Sequence, residues 1–106
     1  MSLDNPETVD AIGMEKNTGT VVLSILDAWN WADQKGHLLA LQVKLNAYFE
    51  FVESGQIYQD YPAAAGKSLR IDILSRHPAP AAALAFFKKA ATAAAQLNIG
   101  ITQRTP

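Results

Sequence analysis

Ser68–Ser75 reads SLRIDILS, and its alternation decides the architecture. Leu69, Ile71 and Ile73 fall on one side, Arg70 and Asp72 on the other. Side chains alternate across a strand, so this segment predicts a strand with one apolar face and one wet face. A sheet covered on both faces would show continuous apolar runs instead. Helices are therefore expected on one side only.

Upstream, Thr20–Ala28 (TVVLSILDA) is rich in β-branched residues and predicts a second strand. Asn17-Thr18-Gly19 is a turn cluster, and Thr8–Lys16 before it reads as a weaker strand, with Ile12 and Met14 on one face and Gly13 loosening it. The two form a β-hairpin. Residues 1–7 make a short extended arm, because the residue before Pro6 disfavours helix.

Between the second strand and SLRIDILS lies a long helix. Asn30, with Asp33 three residues on, or Asp33 itself can cap it, and Gly36 loosens its first turn. Leu38, Leu41, Leu45, Tyr48, Phe49 and Val52 form one apolar stripe at helical spacing, and Gly55 stops the helix. Residues 56–67 read as a linker. Pro80 suits the first position of an alanine-rich helix running to about Leu97, after which Ile99–Arg104 adds a last strand. The order is ββαβαβ: an α+β two-layer sandwich, four strands with two helices on one face, in a single domain over residues 1–106. Strand order stays open; if the second and third strands are parallel, the long helix is a right-handed crossover.

Composition excludes several functions. The chain has 106 residues, 49% of them hydrophobic and 18% charged, enough for a core. No cysteine is present, which removes disulfides, thiolate metal sites and cysteine nucleophiles. The N-terminus lacks a signal-peptide pattern and no apolar run is long enough to cross a membrane, so a cytoplasmic protein is expected. Residues 1–53 carry eight acidic against three basic groups, and residues 54–106 two against six. With a pI near 6.0 and no basic run, the composition argues against nucleic acid.

Chemical signatures are missing. Ala63–Ser68 ends like a phosphate loop, but Tyr61 stands where a glycine is needed and the segment precedes a strand rather than a helix. His37 and His77 are not at ligand spacing. His37 lies four residues after Asp33, within reach of it on a helix. No serine has the flanks of a nucleophile elbow. Asp10, Asp27 and Asp72 are placed on the open sheet face, where Arg70, Arg76, Lys67 and Arg104 can join them. No catalytic residue, cofactor site or metal site is expected, and the protein reads as a non-enzyme.

Two surface readings remain. Leu39, Val43, Ala47 and Phe51, four apart, form a second apolar row on the long helix. It packs on the alanine-rich helix, or else it is an interface for a partner or a second copy. Phe86 adds surplus apolar surface on the last helix, so Leu39, Val43, Phe51 and Phe86 are the candidate interface. Trp29 and Trp31, at the strand-to-helix corner, with His37 and His77, are candidate anchors or the lining of a small-ligand pocket at one end of the sandwich.

The opening SLDNPETVDAIG, the VVLSILDAW strand, the LNAYFEFVESGQIY helix exit, the RIDIL strand and the proline-led last helix resemble, in that order, a family of small bacterial proteins of unknown function. The resemblance implies no activity, cofactor or site residue. More loosely, a small cysteine-free α+β domain is similar to many antitoxin and immunity proteins, which act by covering a partner. A non-catalytic protein-interaction module is the expectation, with a small-ligand-binding domain as its alternative.

Overall fold

The structure is a computed structural model and describes residues 3–105. Its elements are β1 (Ala11–Met14), β2 (Val21–Asp27), α1 (Gln34–Glu53), α2 (Gln56–Asp60), β3 (Leu69–Ser75), α3 (Ala81–Ala95) and β4 (Ile99–Arg104), with a 3-10 turn over Pro62–Ala64. They form one four-stranded sheet ordered β1-β2-β3-β4. β1 pairs antiparallel with β2, while β2–β3 and β3–β4 are parallel. The α+β sandwich is therefore present, and α1 is the crossover between parallel strands.

Strands added in sequence order through right-handed crossovers put α1 and α3 on the same face. Burial agrees. Val21, Leu23, Ile25, Leu69, Ile71, Ile73 and Ile99 turn into a core closed by Leu41, Leu45 and Tyr48 of α1 and by Ala83, Phe87 and Ala94 of α3. Of the expected α1 stripe, Leu41, Leu45, Tyr48 and Val52 are buried, while Leu38 and Phe49 pack at its margin.

Three local expectations change. The segment 56–67 is not a plain linker: it holds α2 and the 3-10 turn, and sends Ile57 and Ala64 fully into the core. The first strand is shorter than Thr8–Lys16. At its start the Tyr48 hydroxyl enters the ladder, accepting from the Asp10 N–H at 2.8 Å and donating to the Ser24 carbonyl at 2.6 Å. At its end, a turn closed by Gly19 N–H to Glu15 O at 2.8 Å takes over, with Gly19 at φ 71°.

The third concerns Gly36. Asp33 is the cap, its carboxylate accepting from the Gly36 N–H at 3.0 Å, while Asn30 accepts from Ala32 N–H instead. A Cβ at position 36 would lie 2.3 Å from Asp33 Oδ2. Glycine here makes room for the cap rather than loosening the helix.

Candidate interaction surface

The buried side chains able to do acid–base chemistry, Asp27, His37, Lys44 and Asp72, are each held by a partner from another part of the chain. At the carboxyl end of β2, Asp27 and His37 are each 2% exposed, and His37 Nε2 lies 2.6 Å from Asp27 Oδ2. His37 Nδ1 is 3.0 Å from the Asn30 carbonyl, which can only accept, so Nδ1 donates. The other Asp27 oxygen accepts from the Trp29 N–H. Trp31 stacks on the imidazole with centroids 3.6 Å apart and planes 19° apart, and Trp29 tilts against it.

His37 therefore pairs with Asp27, not with Asp33, and both ring nitrogens are spent. Asp27 is not on the open sheet face as expected; it turns to the helix side, where it ties β2 to α1. His77 is half-buried and shares no hydrogen bond, ion pair or ring contact with His37 among the described residues. Shallow hollows of about 230 and 370 Å³ lie on either side of Ala28, one lined by Leu26, Asp27, Leu74 and Arg76, the other by Trp29, Asn30, Asp33 and His37. The indole N–H of Trp31 is buried without an acceptor.

A second pair escaped the sequence reading. Lys44 is fully buried, and its ammonium donates to Asn5 O at 2.7 Å, Thr8 O at 2.5 Å and Asp10 Oδ1 at 2.9 Å. All three of its protons are placed. Asp10 Oδ2 accepts from the Leu26 N–H beyond the end of β1, so Asp10 is not an open-face carboxylate either. Burial pushes the Tyr48 phenol above its ordinary range, so its hydroxyl stays protonated as donor and acceptor in the ladder. The signal was available: Lys44 sits three after Leu41 and four before Tyr48, inside the buried stripe.

On the open face, Asp72 accepts from Arg70 Nε at 2.7 Å and Thr102 Oγ1 at 2.5 Å, and Arg70 also reaches Glu15 at 3.0 Å. Arg104 approaches Asp72 at 3.5 Å. These arginines neutralise carboxylates and do not form a basic patch. Burial alone would raise the Asp72 pKa, but the hydrogen bonds from Arg70 and Thr102 and the nearby arginine charges outweigh it and hold it below its ordinary value. A carboxylate depressed in the folded state binds more protons when unfolded. Its stabilisation is full above the unfolded value, about 4, and is lost as pH falls through the folded one. Urea unfolding between about pH 2 and 6 is expected to show an acid limb that Asp72→Asn flattens; an unchanged limb would sink this assignment.

The second apolar row of α1 does not pack on α3. The cleft between the helices, about 290 Å³, is lined on the α1 side by Gln42, Leu45, Asn46 and Phe49, and on the α3 side by Phe86, Lys89, Ala90 and Ala93. Leu45 and Phe49 serve both sheet and helix, which leaves Leu39 and Val43 on the outer crest, 61% and 45% exposed. Ala47 and Phe51 face the other way, into a groove of about 540 Å³ between α1 and the N-terminal arm, with Val9 on its floor and Glu7 and Glu50 on its rim. Glu7, Glu50 and Glu53 form no ion pair among the described residues. The last turn of α1 carries no basic residue against its negative dipole end.

Together these features define a two-layer α+β protein whose buried ionisable side chains lock its elements together and whose groove between α1 and the N-terminal arm is apolar-floored and acid-rimmed. The chain belongs to DUF6572, a family of unknown function, whose family model matches residues 1–106. No curated protein and no solved structure matches it. No helix among the described residues is long and apolar enough to cross a membrane.

Proposed function

We infer that this chain is a non-catalytic interaction module of the bacterial cytoplasm that holds a protein partner against α1. The observation that carries the reading is the α1 surface itself. Leu39 and Val43 stand exposed along its crest, and beside them runs the groove of Ala47, Phe51 and Val9 with its acidic rim. Single exposed apolar residues are ordinary; an exposed row beside an apolar groove is the pattern of a contact surface. Glu7, Glu50 and Glu53, which form no ion pair among the described residues, stand near the negative end of a 20-residue helix and favour a partner that brings basic side chains with apolar stems. Action by covering a partner, as antitoxin and immunity proteins do, fits this arrangement.

The test is affinity capture from the source cell with the wild-type chain and with Leu39→Glu/Val43→Glu. One stoichiometric protein, basic where it touches, should be recovered by the wild type. It should be lost at least tenfold with the variant, a loss of about 1.4 kcal/mol or more, while circular dichroism stays unchanged. Equal recovery by both would overturn the α1 assignment. Recovery of nothing, together with a metabolite that raises the melting temperature, would favour the small-ligand alternative at the Trp29–His37 end.

A further inference from the structure

We propose that the cleft between α1 and α3 binds a small amphipathic carboxylate, an anionic head on a linear apolar tail, as in a medium-chain fatty acid. The cleft comes from the side chains that meet there. Where α3 faces α1, Phe86 is followed one and two turns on by Ala90 and Ala93. Methyl groups fill little of the space between two helices, and the cleft stays open at about 290 Å³. Leu45 is buried at its floor, and Phe49 and Phe86 are half-buried on its two walls. Their uncovered ring surface gains by leaving water.

The dimensions select the tail. The lining runs from Gln42 to Phe49 on α1 and from Phe86 to Ala93 on α3. At 1.5 Å per residue each wall is about 10 Å long. A third helix is itself about 10 Å across, so it rests on such a cleft without entering it. A single unbranched chain is narrow enough to lie along the floor between the two rings.

The rim selects the head. Gln42, Asn46 and Lys89 are exposed, and their side chains make no hydrogen bond or ion pair among the described residues. No acidic residue lines the cleft, and α3 carries Lys88 and Lys89 with no acid. The rim therefore offers an anion one ammonium and two amide groups. One lysine matches the single charge of a carboxylate, whereas a phosphate head brings more charge than this rim neutralises. On the opposite flank of α1 the sign reverses, because Glu7 and Glu50 rim the groove against the arm. The two hollows share no lining residue, so this site stands or fails apart from the α1 reading.

Decanoate is the probe. Titrated to about 5 mM against the NMR signals of the protein, it should saturate with a dissociation constant below about 1 mM, the range for a ligand of this size. The shifts should cluster at Asn46, Phe49, Phe86, Ala90 and Ala93. Ala93→Phe fills the cleft from an exposed position and should weaken binding at least tenfold. Lys89→Glu should weaken it about fivefold or more, with circular dichroism unchanged. Decyltrimethylammonium, a similar tail with the opposite charge, should leave the cleft signals in place. The absence of a saturable decanoate shift at the cleft overturns the proposal. So does equal binding of the cation there, or decanoate binding that ignores the substitutions. Should Ala93→Phe fail to fold, Lys89→Glu and the cation decide.

Discussion

His37→Ala is expected to lower the unfolding free energy by about 3–5 kcal/mol, the usual cost of removing one partner of a buried, hydrogen-bonded Asp–His pair. The variant leaves the Asp27 carboxylate in the core with only the Trp29 N–H, strips the Asn30 carbonyl of its donor, and opens a gap under Trp31. For a domain of this size that is a fall in melting temperature of roughly 15 °C or more. Trp29 and Trp31 are the chain's two tryptophans and both touch His37, so indole fluorescence during urea unfolding reports on this corner directly. Asp27→Leu/His37→Leu should recover part of the loss, since removing both partners leaves neither one buried without the other. A cost below about 1 kcal/mol for His37→Ala, the size of a surface pair, would show that the corner does not depend on this contact.

Lys44→Met is the second large effect. Methionine keeps the stem in the α1 stripe but leaves Asn5 O, Thr8 O and Asp10 without the ammonium that unites them. A loss of about 3–5 kcal/mol is expected, and it should be local in character. That ammonium gathers two arm carbonyls and Asp10 against α1, so without it the arm's amides should exchange faster and proteases should cut there before the rest unfolds. Tyr48→Phe removes only the hydroxyl that bridges Asp10 and Ser24, and should cost about 1–2 kcal/mol with the arm still docked. If Lys44→Met unfolds at the wild-type midpoint, with the arm still protected, the lock does not hold it.

The frame of this fold was legible because it rests on periodicity. The alternation at Leu69–Ile73 and the stripe from Leu41 to Val52 report which side of each element meets the core, and one-sided cover follows from them. The site was less legible because its contacts join residues from different elements. Asp33 lies one helical turn from His37 and was the natural partner to name. The actual partner, Asp27, is ten residues away at the end of a strand, and only the corner at Trp29–Trp31 brings it round. Lys44 entered the sequence reading only as one of the three basic groups of residues 1–53, although its spacing from Leu41 and Tyr48 placed it inside the stripe. The second row of α1 was readable as surplus. That it faces outward depends on how α3 settles into the cleft of Gln42, Leu45, Asn46 and Phe49, which no local pattern encodes.

The Tyr48 bridge has a consequence for the order in which the fold can be completed. Its hydroxyl comes from α1 yet joins the Asp10 N–H to the Ser24 carbonyl, so the mouth of the β1–β2 seam is finished only when the long helix has docked. A hairpin that would ordinarily close through local contacts alone is thereby made to wait on a side chain from a separate element.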